Sequence, residues 1–196
     1  SDLDAVNNGK LLGWVLMQNT NVGPDDYNFM WVNAYPTIEI AANENAWWSH
    51  SEKVVGIKPD VLFSDSSKYK YDRSYTYKMQ MSIPNTGPAA YVILNFATPD
   101  DVNAVAASSK KYVIPHFKKN MSDNGMVGWG MATKITPQGQ EYSSMMTYDS
   151  YDSLKNAMKH LAGEGIIEGL PMDKLTKVTW EMRPIMKVIS STTEKE

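Results

Sequence analysis

The feature that most constrains the fold is an internal repeat. Sliding the chain on itself by 115 positions, the separation of Trp14 and Trp129, lays Gly13-Trp14 over Gly128-Trp129. The same offset aligns Tyr27 with Tyr142, Met30 with Met145, Ala42 with Ala157 and Asp26 with Glu141. One further residue of shift brings Asn8-Gly9 onto Asn124-Gly125. The pattern is that of a duplicated module, and 196 residues with 42% hydrophobic content suffice to give it a packed core.

Hydrophobic periodicity supplies the elements. Residues 1 to 8 read as the tail of a helix stopped at Asn8-Gly9. Leu11 to Asn19 and Tyr27 to Ala34 read as a hairpin, with Tyr27, Phe29 and Trp31 on one face. Pro36-Thr37 starts a helix reaching Ser49, and Ser74 to Ile83 alternates apolar with polar as a half-buried antiparallel strand does. Pro84-Asn85-Thr86-Gly87-Pro88 is the strongest turn and marks the module boundary. Beyond it, Ala90 to Ala97 is a strand apolar on both faces. Thr98 caps a helix that runs to Asn120 and bends near Pro115. Met126 to Thr136 and Glu141 to Tyr148 form a second hairpin. Asp149 or Ser150 caps a helix over Tyr151 to Ala162 with Leu154, Ala157, Met158 and Leu161 as its apolar stripe, and Leu175 to Ile189 is a last strand interrupted at Pro184.

Composition removes whole classes of function. With no cysteine there is no disulfide, thiolate nucleophile or Cys-based metal site, and three histidines make a zinc site unexpected. A net charge of −3 without a basic cluster larger than Lys118-Lys119 argues against nucleic-acid binding. No apolar run approaches the length of a membrane span, and the cysteine count fits a cytoplasmic or a processed extracytoplasmic protein equally. Eleven tyrosines, six tryptophans and thirteen methionines against two arginines favour apolar and aromatic contact. That balance leans towards an apolar ligand or interface.

From Ala90 the order β-α-β-β-α-β is the ferredoxin-like arrangement, and the first module shows the same order without its first strand. The offset places the counterpart of Ala90 at position −25, so repeat one is incomplete at its N-terminus by roughly 25 residues. The expected organisation is α+β: an incomplete module over 1–86, a complete one over 87–190 and a polar tail over 191–196. Two such modules, with Val113-Ile114-Pro115-His116-Phe117-Lys118 ending a helix before Gly125 and a strand, resemble the tandem form of the dimeric α/β-barrel superfamily. Within it the stretch is similar to the cofactor-free monooxygenase and stress-responsive members. The resemblance implies two antiparallel sheets packed face to face and a pocket between sheet and helices for a small, mostly apolar molecule.

The candidate pocket residues follow from that reading. His116 ends its helix where such a family places a pocket residue, and a histidine there can act as a base or orient a substrate oxygen. The alternative is a helix-end histidine stabilised by the negative helix terminus. Trp129, Tyr142 and Tyr148 lie on neighbouring strands, Trp31 on the first hairpin, and Trp48 with His50 in the cluster Trp47-Trp48-Ser49-His50. Packing of a helix on its sheet is the competing explanation for that cluster. The acid pairs Asp25-Asp26, Asp100-Asp101 and Asp149/Asp152 coincide with turns and helix starts, where carboxylates satisfy backbone donors. No cofactor is expected, although haem on one axial histidine would leave no motif. Two functions are consistent with the sequence: binding of a small apolar or aromatic molecule, with cofactor-independent oxygenase or isomerase-like chemistry, or structural assembly. Assembly would use sheet faces or strand addition, with a homo-oligomer or a partner chain supplying the strand.

Overall fold

The computed structural model describes residues 2–21, 28–43, 52–53, 56, 74–139 and 143–192. It is a mixed α+β protein whose contacts divide it into two compact units, residues 1–18 with 27–73 and 189–196, and residues 19–26 with 74–188.

The first unit contains α1 (Asp2–Asn7), β1 (Gly13–Asn19, whose last residue belongs to the second unit), β2 (Phe29–Ala34) and α2 (Ile38–Ala41). β1 and β2 pair antiparallel from Gly13↔Ala34 to Gln18↔Phe29. The side chain of Thr37 caps α2 by accepting from the Ile40 amide, as a Thr before a helix should. Residues 44–50, over which the sequence extends that helix, lie outside the described residues. Buried Ala5 and Leu11, with Val6 and Tyr35 against them, form a small core.

The second unit contains β3 (Thr76–Ile83), β4 (Tyr91–Ala97), α3 (Val102–Ser108), a π-turn (Ser109–Val113), α4 (Ile114–Asn120), β5 (Met126–Thr136), β6 (Met145–Tyr151), α5 (Leu154–Leu161), β7 (Trp180–Met182) and most of β8 (Ile185–Ser191). β3 pairs with β5, β5 with β6, β6 with β4, and β4 with both β7 and β8, all antiparallel. β4 is therefore an interior strand with hydrogen-bonded neighbours on both edges, and its residues 92–97 are buried on whichever face they lie. The core gathers Ile83, Ile93, Ala97, Trp129, Met131, Met145, Tyr151 and Ile185 from the sheet with Val105, Val113, Phe117, Ala157 and Ile166 from the helical layer.

Several expected boundaries move, each for a local reason. The carboxylate of Asp101, not Thr98, caps α3 by accepting from Ala104 N at 2.9 Å. The Thr98 hydroxyl instead accepts from Ser144 N. The bend expected at Pro115 is a π-turn: the Ile114 amide reaches back to Ser109 O, and the wider turn accommodates the missing proline N–H without ending the helix. β6 continues to Tyr151, so Ser153 rather than Asp149 or Ser150 caps α5. That shift turns the helix: Ala157 and His160 are buried, while Leu154 and Met158, expected on the inner stripe, are exposed. Residues 175–179 are not strand, because Thr176 docks on the helix through Ala104 O and Ser108 Oγ.

Candidate functional site

Register fixes which side chains share the inner face of the second unit's sheet. Directly opposed residues in an antiparallel pair project to the same side. Asp149 of β6 opposes Ile93 of β4 and Trp129 of β5, while Thr147 opposes Asn95 and Met131. Since Ile93, Trp129 and Met131 belong to the core under the helices, Asn95, Thr147 and Asp149 face it too. All three are buried, with Asn95 only 1% exposed. A polar trio in a Met- and Trp-rich core costs desolvation unless every group is paired.

The pairing is complete at Asn95. Its Nδ2 donates to Thr147 Oγ1 at 3.0 Å and, in a short bond, to Asp149 Oδ2. Its Oδ1 accepts from Arg183 Nε at 2.6 Å. The amide thus joins a cation to an anion, with its acceptor end on the guanidinium and its donor end on the carboxylate. Turning it over would set like against like at both ends, so the network itself assigns the orientation. Arg183 reaches this position by register: the pairs Phe96↔Met182 and Ile93↔Ile185 keep one antiparallel frame across Pro184, whose carbonyl accepts from Leu94 N, and that frame sets Arg183 opposite Asn95. Its guanidinium lies 5.7 Å from the ring centre of Trp180. Burial lowers the Arg183 pKa, opposed by Asp149 and Tyr151, and a guanidinium remains charged under any such shift.

Beside the trio, Tyr151 and His160 form a second pair. The Tyr151 hydroxyl and His160 Nδ1 share a hydrogen bond at 2.6 Å, in which the phenol donates when the imidazole carries its proton on Nε2, and the rings meet edge to face. Burial pushes the Tyr151 hydroxyl well above its ordinary pKa, with Asp149 adding to the rise and Arg183 opposing it. Burial also pushes His160 down; Asp149 opposes that change and Arg183 reinforces it. Both shifts favour a neutral phenol beside a neutral imidazole.

The residues singled out from the sequence are distributed differently. Trp129 is 3% exposed, lies opposite Asp149 on the inner face and packs edge-on to Phe117 at 6.2 Å. Tyr148 projects to the other face, with its ring over Gly130; a Cβ there would approach Tyr148 Cε1 to 2.3 Å. His116 stands on α4 with both ring nitrogens engaged: Nε2 lies 2.8 Å from Ile166 O, and Asn120 Nδ2 lies 3.4 Å from Nδ1. Trp31 belongs to the first unit, where it stacks on Trp14 with 5.0 Å between centroids and donates Nε1–H to Asn33 Oδ1. Tyr142, Trp48 and His50 lie outside the described residues. Trp129 is thus the sequence candidate that register sets beside the buried trio, whose own members were not chosen. The available signal was Asn95, the one amide in the apolar run Tyr91–Ala97. No group of three or more metal-ligating side chains occurs among the described residues.

With this geometry in place, the comparisons with known proteins are informative about fold. No protein-family model matches the chain, and no curated protein matches its sequence. Among solved structures, it is similar to a proposed monooxygenase from Lactobacillus acidophilus NCFM (TM-score 0.56, 10% identity, 98% of this chain and 84% of that one). It is also similar to an anthrone oxidase-like protein (TM-score 0.51, 10% identity, 98% and 84%). A proposed monooxygenase from Fusobacterium nucleatum subsp. nucleatum aligns comparably (TM-score 0.54, 10% identity, 96% and 85%). The chain shares a fold with these proteins. Among the described residues no helix is long and apolar enough to cross a membrane.

Proposed function

We propose that the protein binds a small, mostly apolar or aromatic molecule between sheet and helices of its second unit and oxygenates it without a cofactor. The observation that carries the proposal is the network of buried Asn95, Thr147 and Asp149 with half-buried Arg183, a charged assembly set among Trp129, Met131 and Tyr151 where hydrophobic packing alone would be cheaper. In this reading the apolar residues hold the ring system. The Asp149 carboxylate draws a proton from an activated C–H or O–H, and the Arg183 cation balances the negative charge that develops on the substrate oxygen. Asn95 keeps the two from collapsing onto each other. Among the described residues the terminal guanidinium nitrogens carry no hydrogen bond, which leaves them for that oxygen.

The structural neighbours support the choice of chemistry, and the element order β-α-β-β-α-β from Tyr91 to Ser191 supports reading this half as a ferredoxin-like module. Anthrone is a suitable probe: its ring CH2 becomes a carbonyl with one oxygen atom of dioxygen, and the other leaves as water. Chelator-treated protein should consume dioxygen with anthrone faster than buffer does, and Arg183→Gln should reduce the rate by roughly tenfold or more. A rate equal to buffer, or one untouched by Arg183→Gln, removes the proposal.

Assembly by strand addition has one observation in its favour, since β3 pairs only with β5 among the described residues. Lys78 and the irregular register at Met79/Met81 are both features that discourage edge pairing, so this reading ranks second. Concentration-dependent self-association lost on adding a charge at Met79 would reverse the order.

A further inference from the structure

Tyr151 and His160 stand outside the chemistry just proposed and carry an inference of their own. Both are buried, Tyr151 at 0% exposure and His160 at 6%. A phenol in an apolar core loses an electron easily only if its proton can leave at the same moment, because the phenol radical cation is a strong acid and its charge is poorly solvated there. Most buried tyrosines donate to a carbonyl or a water, neither of which keeps a proton. Tyr151 is instead hydrogen-bonded to an imidazole nitrogen at 2.6 Å, which accepts from the phenol in the Nε2–H tautomer, with the rings nearly perpendicular at 89°. Both features fix a direct path from phenol oxygen to base.

We propose that Tyr151 is a redox-active tyrosine with His160 as its fixed proton acceptor. An oxidant of the peroxyl-radical class takes one electron from the Tyr151 ring, and the phenolic O–H bond breaks as an N–H bond forms at His160 Nδ1. The products are a neutral Tyr151 phenoxyl radical, a His160 imidazolium and the oxidant reduced by one electron. A thiol- or ascorbate-class donor restores the phenoxide, which recovers its proton from His160. Burial disfavours the imidazolium, Asp149 opposes that electrostatically and Arg183 reinforces it, so His160 holds the proton only while the radical stands beside it. Met126, Met131, Met145 and Trp129 share one core cluster with Tyr151, and all are side chains that damaging oxidation would modify. Draining the oxidising equivalent to Tyr151 spares them.

The test uses the full chain, photo-oxidised tris-bipyridine ruthenium as the one-electron oxidant, and electron paramagnetic resonance after freezing. The expected result is a long-lived tyrosyl signal that Tyr151→Phe removes and whose formation His160→Gln slows by roughly tenfold. An undiminished long-lived signal in Tyr151→Phe, or an unchanged rate in His160→Gln, overturns the proposal. Wild-type protein carrying 15N-histidine decides the matter independently of how either variant folds. Electron–nuclear double resonance should detect one histidine nitrogen coupled to the radical, and no coupling would refute the pairing. None of these readouts depends on anthrone oxidation, so the two proposals fail separately.

Discussion

Replacing Asn95 by leucine is the perturbation that most severely tests the buried network. Leucine has the same branching and number of side-chain heavy atoms but leaves Asp149 without its amide donor, Arg183 Nε without its acceptor and Thr147 without its partner. Two of the three lost bonds involve ionised groups, at about 1.5–3 kcal/mol each, and the third is neutral, at about 0.5–1.5 kcal/mol. The apolar side chain returns about 1.5–3 kcal/mol of burial. The net loss is about 3 kcal/mol, at the lower end of the ~3–5 kcal/mol typical when one partner of a buried charged pair is removed. Urea denaturation followed by tryptophan fluorescence measures it as a fall in midpoint at unchanged slope. Thr147→Val, which removes only the neutral bond, should lose about 1 kcal/mol in the same assay. A loss below about 1 kcal/mol for Asn95→Leu would mean that Asp149 and Arg183 satisfy each other or reach solvent without the amide, and the bridging argument would fail.

Further outcomes follow from the same packing. Gly130→Ala places a methyl group 2.3 Å from Tyr148 Cε1 and should destabilise by about 1–3 kcal/mol; Tyr148→Ala in the same chain should recover part of that loss, as a non-additive urea-midpoint change. His116→Ala removes the bond to Ile166 O and should cost about 1 kcal/mol while leaving anthrone-dependent dioxygen consumption unchanged. Because burial lowers the His160 pKa below its ordinary 6.5, the unfolded chain takes up the proton first as pH falls. Stability is therefore full above that value and declines below it towards the folded pKa, by at most about 1.4 kcal/mol per pH unit; His160→Gln should flatten that slope in pH-dependent denaturation.

The fold was more legible in the sequence than the site, and the reason lies in periodicity. β3, β4 and β5 begin and end within two residues of the alternation read from Ser74, Ala90 and Met126, because each buries one or both faces and the pattern records burial. β6 and α5 were misjoined because Asp149-Ser150 before a helical pattern looks like a cap, while Ser153, three residues before Asn156, offers the same chemistry and is the one used. That local ambiguity hid Asp149, since an acid assigned to a helix start is not sought in a core. Arg183 was hidden because its place opposite Asn95 is set by the pairing of its segment with β4, a register that nothing local around Pro184 conveys. The duplicated Gly-Trp pair behaved unevenly. Gly13 leaves room for the Thr192 hydroxyl and Gly128 for the Asn85 side chain, so both glycines permit close approach. The tryptophans differ, however, with Trp14 stacked on Trp31 and Trp129 edge-on to Phe117. Their pairing also differs by one position: the offset carries Asn33, the partner of Trp14, to Tyr148, whereas Trp129 opposes Asp149. Each Gly-Trp pair lies on a strand, β1 or β5, but the two strands do not share a register with their partners.

Neither His116 nor Tyr148, chosen for their residue type, stands beside Trp129 on the inner sheet face, whereas Asn95, Thr147 and Asp149 do. Residue chemistry alone could not make that distinction; the alternation along β6 does, because Thr147, Asp149 and Tyr151 share one side and Tyr148 the other.

The central claim is that a small aromatic molecule is held at this inner face. The most direct measurement is amide and indole chemical-shift mapping of 15N-labelled protein titrated with 1-naphthol. The account predicts saturable shifts concentrated at Asn95, Thr147, Asp149, the Trp129 and Trp180 indoles and the Arg183 side chain. Shifts confined instead to exposed Phe29 and Trp31, or to Leu154 and Met158 on the outside of α5, would contradict it.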